Sequence, residues 1–241
     1  MSLAVISLVA VVGALLTGNG EHDVSNRKVQ DVSMERSAHT ECKKILSERN
    51  PFLPGVFLLH DKTALCISGD INGSLASEVS SVLKPQNGAG GKINYVVLSS
   101  DGGDLSASLK VAELIEATGA TVVVGDRCMS ACSQFLFVAG GKKVILAGGL
   151  VLFHGGPIPD KTISNMNIPD EAKKSLLLGQ EKFREFYRTR NIDMAMLTNP
   201  PPEVQKDWNA GRLVMWSWSW EQLIQFGVHD VYQEPPLNSH I

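Results

Sequence analysis

The reading of the fold turns on one continuous stretch, SSDGGDLSASLKVAELIEATGATVVVGDRCMSACSQFLFVAGGKKVILAGGLVLFHGG, residues 99–156 of a chain of 241. A buried strand, Tyr95–Leu98 (YVVL), leads into it. Leu105–Thr118 has apolar residues at 105, 109, 111, 112, 114 and 115, which is helical spacing. Gly119 follows, a residue type that ends helices in the left-handed conformation. Thr121–Val124 (TVVV) is a strand, Ala131–Ala139 an apolar helix, and Lys143–Leu146 and Leu150–Phe153 two more strands. Strands that alternate with helices require crossover connections, so the pattern predicts an α/β domain with parallel pairing.

Outward from this centre the alternation continues. Upstream lie strands Val56–His60 and Ala64–Ser68, a turn at Gly69–Gly73, a helix at Leu75–Leu83 and a Gly-rich loop from Pro85 to Gly91. Downstream, Asp170–Arg190 reads as a long amphipathic helix. Trp216–Trp220 reads as a strand carrying three indoles on one face, and Glu221–Phe226 as a closing helix. Trp208 is the fourth Trp, and the indole face serves either a packed sheet or an interaction surface. Apolar residues make up 44% of the chain and charged residues 20%, a globular balance that excludes a disordered chain. The formal net charge of −3 offers no basic excess for nucleic acid. Four Cys, at 42, 66, 128 and 132, are too few for a disulfide scaffold and lack the paired spacing of a structural zinc site. No metal and no cofactor are expected.

The N-terminus reads as a targeting segment. Leu3–Leu16 carries no charge. As a helix it would span about 21 Å, short of a hydrocarbon core of about 30 Å, and this length suits a signal-peptide apolar region. Gly18 and Gly20 supply small residues for cleavage before Glu21. The alternative is a buried N-terminal helix. Residues 1–20 are thus expected to be a signal peptide or membrane anchor, 21–50 a polar linker with a short helix near Glu41–Glu48, and 51–235 the folded domain. The expected location is periplasmic or exported, either free or anchored to a membrane, where cysteines meet an oxidising medium.

Three loops carry the residues suited to chemistry. Ser99–Asp104 holds Gly102 and Gly103 between a strand and a helix N-terminus, where main-chain N–H groups can face a developing anion. In Cys128-Met129-Ser130-Ala131-Cys132, Ser130 stands where a strand meets a helix, and either caps the helix or is presented at the sheet edge. In that second case the N–H of Ala131 faces the same spot as that of Gly103. Cys128 and Cys132 are a disulfide across the turn or two buried thiols. His154 closes an apolar strand at a Gly-Gly-Pro turn, where an imidazole can titrate near neutrality.

Taken in order, Ala64–Pro157 resembles the Clp-protease/crotonase superfamily, in particular the Clp proteolytic subunit and signal-peptide-peptidase-A branch and its periplasmic members with a Cys-x-Ser-Ala-Cys turn. LCISGDING is similar to the family's first strand and turn, and SWEQLIQFGVHD more weakly to its C-terminal helix. The resemblance implies a ββα superhelix with a parallel sheet and a C-terminal helical extension. It implies a serine peptidase in which Ser130 is the nucleophile, His154 the general base, and Gly103 and Ala131 the oxyanion N–H donors. A peptide or protein is the implied substrate. The helix at 170–190 falls where the Clp subunit carries its assembly helix, so a homo-oligomer is a possible partner.

Three features depart from the family. Its orienting acid falls near Met215, with Glu203 and Asp207 as substitutes from the preceding loop. Asp101 stands in place of a Pro beside the Gly pair, and its carboxylate and that of Asp104 are expected to point outward or to cap the helix. Ser133 is a second hydroxyl three residues after Ser130, ranked below it because it lies inside the helix. Lys142 and Lys143, the alternative bases of the signal-peptide-peptidase type, are expected to be solvated turn residues. A crotonase-type acyl-CoA enzyme and a non-catalytic binding module are the two other readings.

Overall fold

Strands form where apolar residues run consecutively, because both faces of the sheet are covered. The computed structural model describes residues 31–49, 53–59, 62–83, 92–212 and 214–235. The apolar run Leu3–Leu16 and the whole loop from Pro85 to Gly91 lie outside the described residues. Val32–Ile241 forms one compact unit. In chain order its elements are α1 (Ser33–Ser47), β1 (Gly55–Leu58), β2 (Ala64–Ser68), α2 (Gly73–Leu83), β3 (Tyr95–Ser100), α3 (Leu105–Thr118) and β4 (Thr121–Met129). A π-helix (Cys132–Phe137), β5 (Lys142–Ile145), β6 (Leu150–Leu152), α4 (Asp160–Ser164) and α5 (Asp170–Thr189) follow. The chain closes with α6 (Ala195–Thr198), α7 (Pro202–Asn209), α8 (Trp220–Gln225) and β7 (Val231–Gln233).

The result is a mixed α/β domain around a mostly parallel sheet of order β1-β2-β3-β4-β5-β7, with β6 on β4. Among the described strand pairs only β1–β2 is antiparallel. Alternation along each strand divides the core in two. Leu65, Ile67, Val96, Leu98, Val122 and Val124 face α2, α3, the π-helix and α5. Cys66, Val97, Val123 and Val144 face the other way, toward Ala38 and Cys42 of α1. Each such Val or Leu contributes roughly 1.5–3 kcal/mol by leaving water, and strands buried on both faces need no polar alternation.

This arrangement corrects several expectations. The segment 21–50 is not a linker throughout, since α1 covers the second face of the sheet and is tied to β2 by a Cys42–Cys66 disulfide. Trp216–Trp220 is not a strand. Trp216 makes a single antiparallel bridge to Phe153, while Ser219 caps α8 and Trp220 is that helix's first residue. Lys142 and Lys143 are not solvated turn residues but lie in β5. Lys143 is buried with its Nζ donating to the His229 carbonyl, and Lys142 pairs with Glu35 at 3.3 Å. Desolvation lowers the pKa of Lys143, against the attraction of Asp230 and Glu116. Among the described residues no helix is long and apolar enough to cross a membrane.

Candidate active site

Ser130 and His154 meet because β4 changes partner along its length. Over Thr121–Val124 it lies between β3 and β5. Its register with β3 then shifts between Leu98 and Ser100. Beyond that shift β4 pairs in parallel with β6, Arg127 with Leu150, Cys128 with Val151 and Met129 with Leu152. Two parallel strands in register deliver their C-terminal ends side by side. The residue leaving β4 is Ser130, whose N–H donates to the Leu152 carbonyl at 3.1 Å. Two residues past β6 stands His154, and Ser130 Oγ lies 2.7 Å from His154 Nε2. That is the hydrogen-bond distance at which an imidazole can take a hydroxyl proton.

Ser130 adopts φ +54°, a left-handed conformation unusual for a residue with a Cβ. Such backbone costs roughly 1–3 kcal/mol and persists only where the surroundings impose it. Here they do so from several sides. The Ser130 carbonyl accepts from Gln134 N at 2.9 Å and from Ser133 Oγ at 2.8 Å. Ser133 Oγ also lies 2.6 Å from the Leu152 carbonyl, and Ser133 is fully buried. The second hydroxyl therefore braces the turn and cannot reach a substrate. Cys128 and Cys132 are joined by a disulfide that brackets the turn.

Gly102 packs directly on this turn. A Cβ at Gly102, whose φ is +104°, would lie 2.8 Å from Ser130 Cβ and 2.9 Å from Ala131 N. Gly103, next in the chain, makes a parallel bridge with Ile71, in which Ile71 N donates to Gly102 O and Asp104 N to Ile71 O. That pattern leaves the N–H of Gly103 turned away from Ile71. Neither this N–H nor that of Ala131 donates to an acceptor among the described residues. The flanking carboxylates are engaged elsewhere, as expected. Asp104 caps α3 by accepting from Ala107 N, and Asp101 pairs with the Arg127 guanidinium at 2.5 Å.

His154 is half-buried, and desolvation lowers its pKa below the usual 6.5, against a weaker contribution from the Gly155 main chain. Among the described residues no carboxylate lies within 4.0 Å of it. Across the Phe153–Trp216 bridge, antiparallel register puts Met215 opposite His154. Asp207 is paired with Arg212, and Glu203 is exposed on α7, so neither substitute from the sequence reading orients the ring. What holds the His154 segment is Gln134, which sequence reading missed. Its Nε2 donates to the carbonyls of His154 and Gly155 at 3.0 and 3.2 Å. Tyr187, fully buried on α5, donates its hydroxyl to the Gln134 carbonyl at 2.9 Å. Burial pushes the Tyr187 pKa well up, so it stays a donor. Phe135, at the centre of the π-helix, packs edge-on against Phe183 and Phe186 of α5 at 4.8 and 5.2 Å.

Beside this site, a cleft of about 610 Å³ runs between α1 and the ends of β2 and β3, lined in part by Lys43, Ser68, Asp101, Arg127 and Leu150. Its lining does not include Ser130 or His154. Among the described residues no group of His, Cys, Asp or Glu gathers in a metal-binding cluster. Compared with known proteins, the chain matches no family model and no curated sequence.

Proposed function

We propose that this chain is a serine hydrolase acting on peptide bonds, with Ser130 as nucleophile and His154 as general base. The 2.7 Å contact between Ser130 Oγ and His154 Nε2, at the shared end of two parallel strands, carries the reading. In the reaction His154 Nε2 takes the hydroxyl proton as Oγ attacks the carbonyl carbon. The oxyanion so formed is met by the free N–H groups of Gly103 and Ala131, each worth roughly 3 kcal/mol in the transition state. His154 then returns the proton to the leaving amine, and water enters by the same base to release the acyl group. The Clp-protease/crotonase architecture is the fold we assign to this arrangement, on the resemblance over Ala64–Pro157. Export to an oxidising compartment is part of the same proposal, supported by the pairing of all four cysteines.

A fluorophosphonate probe tests the reading. Ser130 should be labelled, Ser130→Ala should not, and His154→Ala should react at a rate reduced on the order of 10³-fold. Peptide hydrolysis should follow the same order. A protein that is folded yet leaves Ser130 unlabelled is not a hydrolase. That no described carboxylate lies within 4.0 Å of His154 favours one second reading, a binding module that retains the fold. It predicts that Ser130→Ala leaves the biological role intact.

A further inference from the structure

The Cys128–Cys132 disulfide is placed differently from its counterpart. Cys42–Cys66 joins a helix to a strand. Cys128–Cys132 spans only four positions, and the residues it encloses are Met129, Ser130 and Ala131. One end is immovable, since Cys128 sits in β4 with Ser100 of β3 on one side and Val151 of β6 on the other. The other end, Cys132, is the first residue of the π-helix, and both cysteines are fully buried. Between them Ser130 turns through φ +54°. Negative φ is the less strained state of a serine, and a shift toward it would carry Oγ off the imidazole and turn Ala131 N–H with it.

We propose that this disulfide is a positioning element for the nucleophile: it fixes the left-handed turn that presents Ser130 Oγ to His154 Nε2 and Ala131 N–H to the oxyanion. It rests on the hydrolase reading for its chemistry, but its geometry can be read without turnover. Cys128 and Cys132 touch no substrate, and act through the backbone of Ser130.

The test compares C128S/C132S and C128A/C132A with the wild type and with C42S/C66S, all checked for folding by near-UV circular dichroism. Fluorophosphonate labelling and kcat should fall roughly 10- to 100-fold in the two Cys128/Cys132 variants, with KM within about twofold. C42S/C66S should label at the wild-type rate although it loses stability. The second readout is the imidazole titration of His154 by NMR, followed in parallel in Ser130→Ala. Loss of the Oγ contact makes the titration of the Cys128/Cys132 variants coincide with that of Ser130→Ala. Should neither variant fold, C42S/C66S is treated with a water-soluble phosphine in denaturant just below its unfolding midpoint, where transient opening exposes the buried bond, and is returned to buffer before labelling. This cleaves the one remaining S–S bond to two thiols, the phosphine becoming its oxide and water supplying oxygen and protons, and alkylated mass counts the product. Unchanged labelling and a wild-type titration after loss of the bond overturn the proposal while leaving the hydrolase standing. A wild type that never labels, but whose His154 titration shifts when the bond is lost, overturns the hydrolase and keeps the positioning role.

Discussion

Gly102→Ala is the substitution on which the site geometry makes its sharpest demand. The new methyl would stand 2.8 Å from Ser130 Cβ and 2.9 Å from both Ala131 N and Met129 O, where ordinary contact begins at 3.4 Å. The two sides must separate by about 0.6 Å, and two of the three obstructing atoms are backbone in a turn fixed by hydrogen bonds and a disulfide. The φ of +104° adds the cost of a side chain in a region suited to glycine, roughly 1–2 kcal/mol. Crowding in a packed site adds roughly 1–3 kcal/mol, so a total loss of about 2–5 kcal/mol is expected in denaturant unfolding. The separation also displaces Oγ and the Ala131 N–H, and misplacement on the order of 1 Å at a reacting centre costs about 10²-fold. The assay is the fluorophosphonate labelling rate at a temperature where the variant is folded. Gly119→Ala is the control, because Gly119 also has a positive φ, +64°, but nothing lies within 4 Å of its added methyl. It should lose about 1 kcal/mol and label as wild type. Wild-type labelling in folded Gly102→Ala would refute the account of how the two loops meet.

The remaining expectations are independent of that one. In the proposed role His154 serves as a base only when neutral, and burial lowers its pKa, so the acid limb of kcat/KM should have its midpoint below 6.5, with activity persisting as pH falls through 6.5; a midpoint above 6.5 in a pH–rate profile contradicts this. Ser133→Ala removes a donor from two carbonyls that each keep a backbone partner, so unfolding should show a loss of about 1 kcal/mol, with mass spectrometry still finding the label on Ser130. Tyr187→Phe withdraws a buried hydroxyl from the Gln134 carbonyl and should cost roughly 1–2 kcal/mol in chemical denaturation, with a slower labelling rate as the His154 segment loosens. C42S/C66S opens a loop closed over 24 positions and should lose about 3 kcal/mol in the same measurement.

Much of the parallel core was legible because its strands are apolar on both faces. Ala64–Ser68 and Leu105–Thr118 occur with the expected bounds. The elements that escaped are those whose burial rests on small or charged residues. In α1 the inward positions are Glu35, Ala38 and Cys42, continuing from Val32 just before it, a helical period with little hydropathy, so the segment reads as polar. The alternating tryptophans imitate a strand, yet Ser219 and Gln222 form a capping box, the S-x-x-Q signal that starts a helix at Trp220. Strand β7 is three residues long and has no period to detect. At the site, the hydroxyl and the imidazole were legible as loop residues, but their contact depends on β4 leaving β5 for β6, a register event with no local signature. The left-handed φ of Ser130 and the bracing by Ser133 and Gln134 were equally out of reach, being consequences of that junction.

That no described carboxylate lies within 4.0 Å of His154 takes on a definite meaning once those braces are considered. In a serine hydrolase the acid both aims the imidazole and stabilises its protonated form. Here aiming is met by the main chain: Gln134 holds the carbonyls of His154 and Gly155, Tyr187 holds Gln134, and aromatic packing holds Tyr187 on α5. Stabilisation of the imidazolium is not met, since burial works against the charged form and Met215 stands opposite. The two duties are thus separated in this fold. On the proposed mechanism, a dyad so built keeps its base neutral and ready at mildly acid pH, but reaches the charged intermediate at a higher cost. Turnover, which on this mechanism forms the imidazolium in both acylation and deacylation, should therefore be slow relative to an enzyme with an acid in place, while labelling of Ser130, which forms it once, is affected less.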